Sequence, residues 1–109
     1  PKIATTYGGL SGPAIKPIAL RMVHQVHTAL PDLPICGMGG ILGGEDALEF
    51  LMAGARCVQV GTANFAEPAA GLRVTRELQT LMGELGFASV ADAVGCLRPW
   101  PPEVPHRPT

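Results

Sequence analysis

Two short apolar runs, each ending in glycine and separated by one helix-length stretch, constrain this chain more than any other feature. The first is Pro34-Ile35-Cys36-Gly37-Met38-Gly39-Gly40 and the second is Arg56-Cys57-Val58-Gln59-Val60-Gly61-Thr62. Strand, glycine turn, helix, strand, glycine turn is a βαβ unit. Its two strands must run parallel, because a crossover helix returns the chain to the same end of the sheet. Backbone left bare at strand C-termini is where α/β proteins hold phosphate groups.

The flanking sequence extends the same alternation. Lys2–Tyr7 reads as a strand end, with Ile3, Thr5, Thr6 and Tyr7 favouring extended backbone. Gly8-Gly9-Leu10-Ser11-Gly12-Pro13 is a loop with demanding backbone angles. A helix is predicted over Ala14–Leu30, where Ile15, Ile18, Ala19, Met22, Val23, Val26 and Leu30 form one apolar stripe. Pro17 fits only its first turn. Pro34–Gly37 is the next strand; Ile35-Cys36 is apolar on both faces, as in a parallel strand covered on both sides. Gly43-Gly44 then precedes a helix to about Ala53, with Glu45 and Asp46 suiting its dipole and Ala47, Leu48, Leu51 and Ala55 on its buried side. Gly54 ends it.

Cys57–Val60 is the second central strand, closed by Gly61-Thr62, with Ala63-Asn64-Phe65 continuing as loop. Pro68 opens a helix to about Leu85, its apolar face tracked by Leu72, Thr75, Leu78, Met82 and Leu85 and widened by Val74 and Leu81. Ser89-Val90-Ala91-Asp92 has capping-box spacing and starts a last short helix to about Val94. From Pro99 to Thr109 proline and charge dominate, so residues 99–109 are expected to be an irregular tail after a folded unit of residues 1–98. Whether Trp100 docks on the body is not legible from sequence.

Strands and helices in alternation give an α/β fold. Only about two and a half βα units are present, too few to cover both edges of a sheet, so the chain reads as the C-terminal portion of a TIM (β/α)8 barrel. The chain does not begin with Met, which fits a fragment. The formal charge of −1 argues against nucleic acid or an anionic membrane as main partner. No apolar run reaches the roughly 18–20 residues that span a bilayer. Three dispersed cysteines with no C-x-x-C fit a reducing cytoplasm; Cys36 and Cys57 are expected to be small apolar residues of buried strands. His24 and His27 lack a third ligand and read as a solvated pair. Glu45, Asp46 and Glu49 read as a solvated helix face.

Acid–base and nucleophilic motifs are absent: there is no G-x-S-x-G elbow, no H-E-x-x-H and no Walker loop. What recurs is glycine after each strand, at Gly12, at Gly39-Gly40 and at Gly61-Thr62. Each glycine could serve only its own turn. Alternatively, three such loops from consecutive βα units converge on a single phosphate, as the last strands of many barrels do.

The motifs in this order resemble the late part of class 1 dihydroorotate dehydrogenases, the class 1B branch above all. The resemblance rests on Thr6-Tyr7-Gly8-Gly9-Leu10-Ser11-Gly12-Pro13 and the helix start to Arg21. It also rests on Pro34–Ile41, Ala53-Gly54-Ala55 and Val60-Gly61-Thr62-Ala63-Asn64-Phe65. It covers about Thr5–Val94. It implies a TIM barrel with FMN at its C-terminal mouth, this chain supplying the phosphate-binding part. Gly12, Gly39, Gly40, Gly61 and Thr62 match the positions that hold the FMN phosphate by backbone N–H groups and the Thr62 hydroxyl. The implied reaction oxidises dihydroorotate to orotate in pyrimidine biosynthesis, with a partner subunit carrying FAD and an iron–sulfur cluster in class 1B. The family's catalytic cysteine and substrate-binding residues lie upstream of this chain; Cys36, Cys57 and Cys96 do not match that cysteine, so no catalytic residue is assigned and the chain alone is expected to be inactive. The sequence departs from the family at Ile41-Leu42-Gly43-Gly44, where polar residues are usual. Two alternatives stand beside this reading: a dihydropyrimidine dehydrogenase-type barrel, disfavoured by the Gly61-Thr62 ending, and a barrel fragment that binds phosphate without turnover.

Overall fold

The computed structural model describes residues 4–98. The elements follow as a 3-10 turn Pro13–Ile15, α1 (Lys16–Ala29), β1 (Cys36–Met38), α2 (Gly44–Ala53), β2 (Cys57–Gln59), α3 (Ala63–Ala66), α4 (Ala70–Glu84) and α5 (Val90–Ala93). Strands β1 and β2 pair in parallel, with Cys36 opposite Cys57, Gly37 opposite Val58 and Met38 opposite Gln59. The predicted βαβ unit is therefore present, with α2 as its crossover.

The core forms where α1, α2 and α4 meet one face of this pair of strands. Phe50, fully buried, is its largest side chain, joined by Val23, Ile41, Ala47, Ala53, Ala55 and Val74. Gly37 is what admits Phe50: a Cβ there would lie 2.7 Å from Phe50 Cδ1. Gly44 does the same between helices, since its Cβ would stand 2.5 Å from Glu77 Cβ. A second cluster, Leu48, Leu51, Met82 and Ala93, seats α5 against α2 and α4. The capping box at Ser89 forms, with the Ser89 N–H donating to Asp92 Oδ2 at 3.0 Å.

Several expectations are corrected. Residues 4–7 are bends, not strand; the remainder of Lys2–Tyr7 and the whole of residues 99–109, Trp100 included, lie outside the described residues. Among the described residues the strands are covered on one face only. Gly37 is buried and Val58 half-buried against the helices, whereas Met38, Cys57 and Gln59 are exposed. Cys36 is half-buried, so among the described residues neither cysteine belongs to the core beneath the helices. On α1 only Val23 is buried; Ala19 and Leu20 complete the packed side, and Ile18, Met22, Val26 and Leu30 face outward. An apolar stripe is wider than one contact line, and only the flank with a neighbour is covered. On α4 the packed line is Ala70, Val74, Leu78 and Met82, while Leu72 and Leu85 are exposed. Residues 63–66, read as loop, form the helical turn α3. His27 is not solvated: it is clamped between two glycines, and a Cβ at Gly54 or Gly95 would overlap its ring.

The predicted solvated face of α2 is also more structured than expected. Lys16 Nζ lies 2.5 Å from Asp46 Oδ1 and 2.9 Å from Glu49 Oε2, tying the start of α1 to α2. Asp46 Oδ2 also accepts the N–H groups of Leu42 (2.9 Å) and Gly43 (3.1 Å), so it caps its own helix. Burial alone would raise the Asp46 pKa. Lys16 and the two N–H donors outweigh it and hold the carboxyl below its usual range.

Candidate functional site

The three glycine turns meet. Gly12, Gly39, Gly40, Gly61 and Thr62 all line one cleft of 380 Å³ at the C-terminal ends of β1 and β2. Convergence is enforced by contact between loops. The Gly40 backbone, at φ +72°, passes so close to the first loop that a Cβ would sit 2.8 Å from the Gly12 carbonyl oxygen and 2.8 Å from Lys16 Cβ. Gly39 likewise sits against Ile15 and Ala19 of the α1 start. Gly12 takes φ +86°, and its carbonyl accepts the Ile15 N–H at 3.2 Å, turning the chain into the helix.

Gly61 behaves differently. Its backbone lies outside the left-handed region, and a Cβ there would meet no atom within 4 Å. Neither turn geometry nor packing within the described residues calls for glycine at this position. Its turn is held from below by Asn64, whose Nδ2 donates to the carbonyls of Val60 (2.7 Å) and Gly61 (3.0 Å). Among the described residues the N–H groups of Gly12, Gly40, Gly61 and Thr62 have no carbonyl or side-chain acceptor, and the Thr62 hydroxyl makes no hydrogen bond. Among the described residues no charged side chain lines the cleft. What it offers an anion is peptide N–H groups, the hydroxyls of Ser11 and Thr62 and the carboxamide of Gln59.

The second glycine pair is a useful contrast. Gly43 and Gly44 border a larger concavity of 670 Å³ between α2 and α4. Their N–H groups are already taken, by Asp46 and by Glu77 Oε2 at 2.8 Å. Glu45, Asp46, Glu77 and Glu84 line it against a single cation, Arg76, so its charge disfavours anions. The departure Ile41-Leu42-Gly43-Gly44 thus serves packing: Ile41 is buried in the core, and Arg73 anchors the segment by donating to the Leu42 carbonyl at 2.9 Å. Arg73 is itself held by Glu67 and Glu77, each at 2.8 Å. Sequence reading missed Arg73 and Asn64. The Arg73–Glu77 spacing of i,i+4 was a legible signal, as was an asparagine just after a Gly-Thr turn.

The chain matches known proteins. The family described as dihydroorotate dehydrogenase matches residues 1–82. The chain belongs to that family. Among curated relatives, it is 53% identical over 97 residues to the dihydroorotate dehydrogenase B (NAD(+)) catalytic subunit of Geobacter sp. (strain M21), covering 89% of this chain and 32% of that one. It is 51% identical over 98 residues to the protein of the same name from Geobacter metallireducens, covering 90% of this chain and 32% of the relative. A solved structure of ligand-free DHODH from Eimeria tenella superposes with a TM-score of 0.78 at 34% identity, over 84% of this chain and 26% of that one. The likeness places the chain in class 1B and makes its fold part of a TIM barrel. The chain spans about a third of the length of the curated relatives it matches. These matches do not favour a dihydropyrimidine dehydrogenase-type barrel.

Proposed function

We propose that this chain forms the FMN-phosphate-binding part of a barrel that oxidises dihydroorotate to orotate. The observation that carries the reading is the cleft in which Gly12, Gly39, Gly40, Gly61 and Thr62 come together, the N–H groups of Gly12, Gly40, Gly61 and Thr62 having no acceptor among the described residues. The chain's residues fit a phosphate. Gly61 leaves open the volume its side chain would fill, and a dianion offers acceptors to several N–H groups at once. Bound FMN would supply the hydride acceptor for the oxidation; the residues here orient and hold it by its phosphate. No residue of this chain is assigned as acid, base or nucleophile. The names of the B-type relatives support a separate electron-transfer subunit acting with NAD as acceptor. Three free thiols agree with a cytoplasmic setting, and among the described residues no helix is long and apolar enough to cross a membrane.

The test is a fluorescence titration of the 109-residue chain with FMN and, in parallel, with riboflavin, which lacks the phosphate. FMN should bind, inorganic phosphate should compete with it, and riboflavin should bind at least about tenfold more weakly, the loss of one charge-assisted hydrogen bond. Gly61→Leu should abolish FMN binding while leaving the melting temperature in place. Equal affinity for riboflavin and FMN, or undiminished binding by Gly61→Leu, would overturn the assignment.

A further inference from the structure

The first two turns of the cleft are joined twice. Gly40 packs directly on the first loop and on Lys16, whose Cβ and N would stand 2.8 and 3.1 Å from a Cβ at Gly40. A second connection runs through side chains. Lys16 Nζ lies 2.5 Å from Asp46 Oδ1 and 2.9 Å from Glu49 Oε2. The N–H groups of Leu42 and Gly43, in the segment that leaves the Gly39-Gly40 turn, donate to the other oxygen, Asp46 Oδ2. One carboxylate thus grips Lys16 with one oxygen and the exit of the second turn with the other. The Lys16 and Asp46 side chains are 26% and 20% exposed, so the pair escapes much of the solvent screening that weakens surface bridges. Each member of this bracket is engaged by another described residue, so the bracket is complete within this chain.

Neither Lys16 nor Asp46 lines the cleft. What they hold is the spacing of the two turns that carry the Gly12 and Gly40 N–H groups, which have no acceptor among the described residues. We infer that Lys16 and Asp46 are positioning residues whose bridge sets the Gly12 and Gly40 N–H groups at the separation one phosphate needs. The inference rests on the phosphate reading of the cleft. It differs from simple attraction by the lysine charge. Lys16 faces two carboxylates, so the cluster as a whole is more negative than positive and does not draw an anion. Asp46→Asn separates the two accounts. An Asn oxygen can still cap the helix, but its amide nitrogen cannot accept from Lys16. Lost positioning weakens phosphate binding, whereas a pure charge effect, with one carboxylate gone, strengthens it.

Titrating each chain with FMN and with riboflavin gives the phosphate's share of the affinity as a ratio. In the parent, FMN should bind at least about tenfold more tightly. Lys16→Met and Asp46→Asn should each shrink that preference to about threefold or less through FMN alone, with riboflavin affinity unmoved. Lys16→Arg, which can still pair with the Asp46 carboxylate, should retain the preference. In the chain without FMN, hydrogen exchange at the Leu42 and Gly43 amides should quicken in Lys16→Met, while circular-dichroism melts show each variant folded. The inference is overturned if folded Lys16→Met keeps the parent's preference or if Asp46→Asn binds FMN more tightly than the parent. If the parent itself binds riboflavin as well as FMN, the phosphate reading falls and this inference with it.

Discussion

Replacing Gly40 by alanine should destabilise the fold, and replacing Gly61 by alanine should not. At Gly40 the backbone sits at φ +72°, where an L-residue costs about 1–2 kcal/mol. The added Cβ would also stand 2.8 Å from both the Gly12 carbonyl oxygen and Lys16 Cβ, and 3.1 Å from the Lys16 nitrogen. Two of these neighbours are backbone and cannot swing away, so overpacking adds about 1–3 kcal/mol. The sum, about 2–5 kcal/mol, is a large share of the roughly 5–15 kcal/mol that holds a domain together. At roughly 4–8 °C per kcal/mol for a small domain, the midpoint should fall by about 10 °C or more. At Gly61 the backbone is outside the left-handed region and a Cβ meets nothing within 4 Å. There the dominant effect is the lower entropy of the unfolded chain, about 0.4–1 kcal/mol of stabilisation. Thermal melts followed by far-ultraviolet circular dichroism, run on both variants and the parent under reducing conditions, read the two signs directly. A Gly40→Ala midpoint within about 2 °C of the parent would refute the claim that contact between the first and second turns organises the cleft.

Other perturbations probe the scaffold. Phe50→Ala should cost about 3–5 kcal/mol, because the ring is fully buried against Gly37 and Ala55; a urea melt with a shifted midpoint and unchanged slope checks it. Asp46→Ala should cost about 0.5–2 kcal/mol as the α2 cap and the Lys16 partner are lost together, read in the same melts. Asp46 also sets a pH response. Its folded pKa is depressed, so its contribution is fully present above its unfolded value near 3.8 and is lost as pH falls through the lower folded value. Melts between pH 6 and 3 should show less acid sensitivity in Asp46→Ala than in the parent. Asn64→Ala should leave the midpoint nearly unchanged, since Asn64 is exposed, but should weaken FMN binding by loosening the Gly61 turn.

The βαβ core was legible because periodicity and glycine punctuation carry it: the end of the crossover helix at Ala53 and the parallel pairing both follow from the pattern. Coverage was not legible. Ile18, Met22 and Val26 on α1, and Leu72 on α4, have the same apolar character as Val23 and Val74. Which flank of a stripe is buried depends on the neighbour it meets, a tertiary fact. For the strands, Ile35-Cys36 looks two-sided in sequence; among the described residues helices cover the face of Gly37 and Val58, and the opposite face is the one a barrel encloses. Phe50 escaped the list of buried residues on α2 because its place is made by a missing side chain at Gly37, and an absent atom leaves no periodic mark.

The same ambiguity runs through the glycines, and there the structure resolves it. In sequence Gly40, Gly44 and Gly61 are equivalent turn residues beside an apolar run. In space they divide by what a Cβ would meet. Gly44 would strike Glu77 and the α4 backbone, so it exists for helix contact, and its N–H is already spent on Glu77. Gly40 would strike the first loop, so it exists to bring two turns together. Gly61 would strike nothing, needs no special φ, and keeps its N–H unclaimed among the described residues. Glycine weakens a chain wherever neither packing nor dihedral demands it. Gly9, Gly71 and Gly83 share that openness, so what distinguishes Gly61 is its place in the cleft beside N–H groups with no acceptor among the described residues. That makes Gly61, rather than the Gly39-Gly40 or Gly43-Gly44 pairs, the position where a substitution tests the proposed phosphate site with least disturbance of the fold.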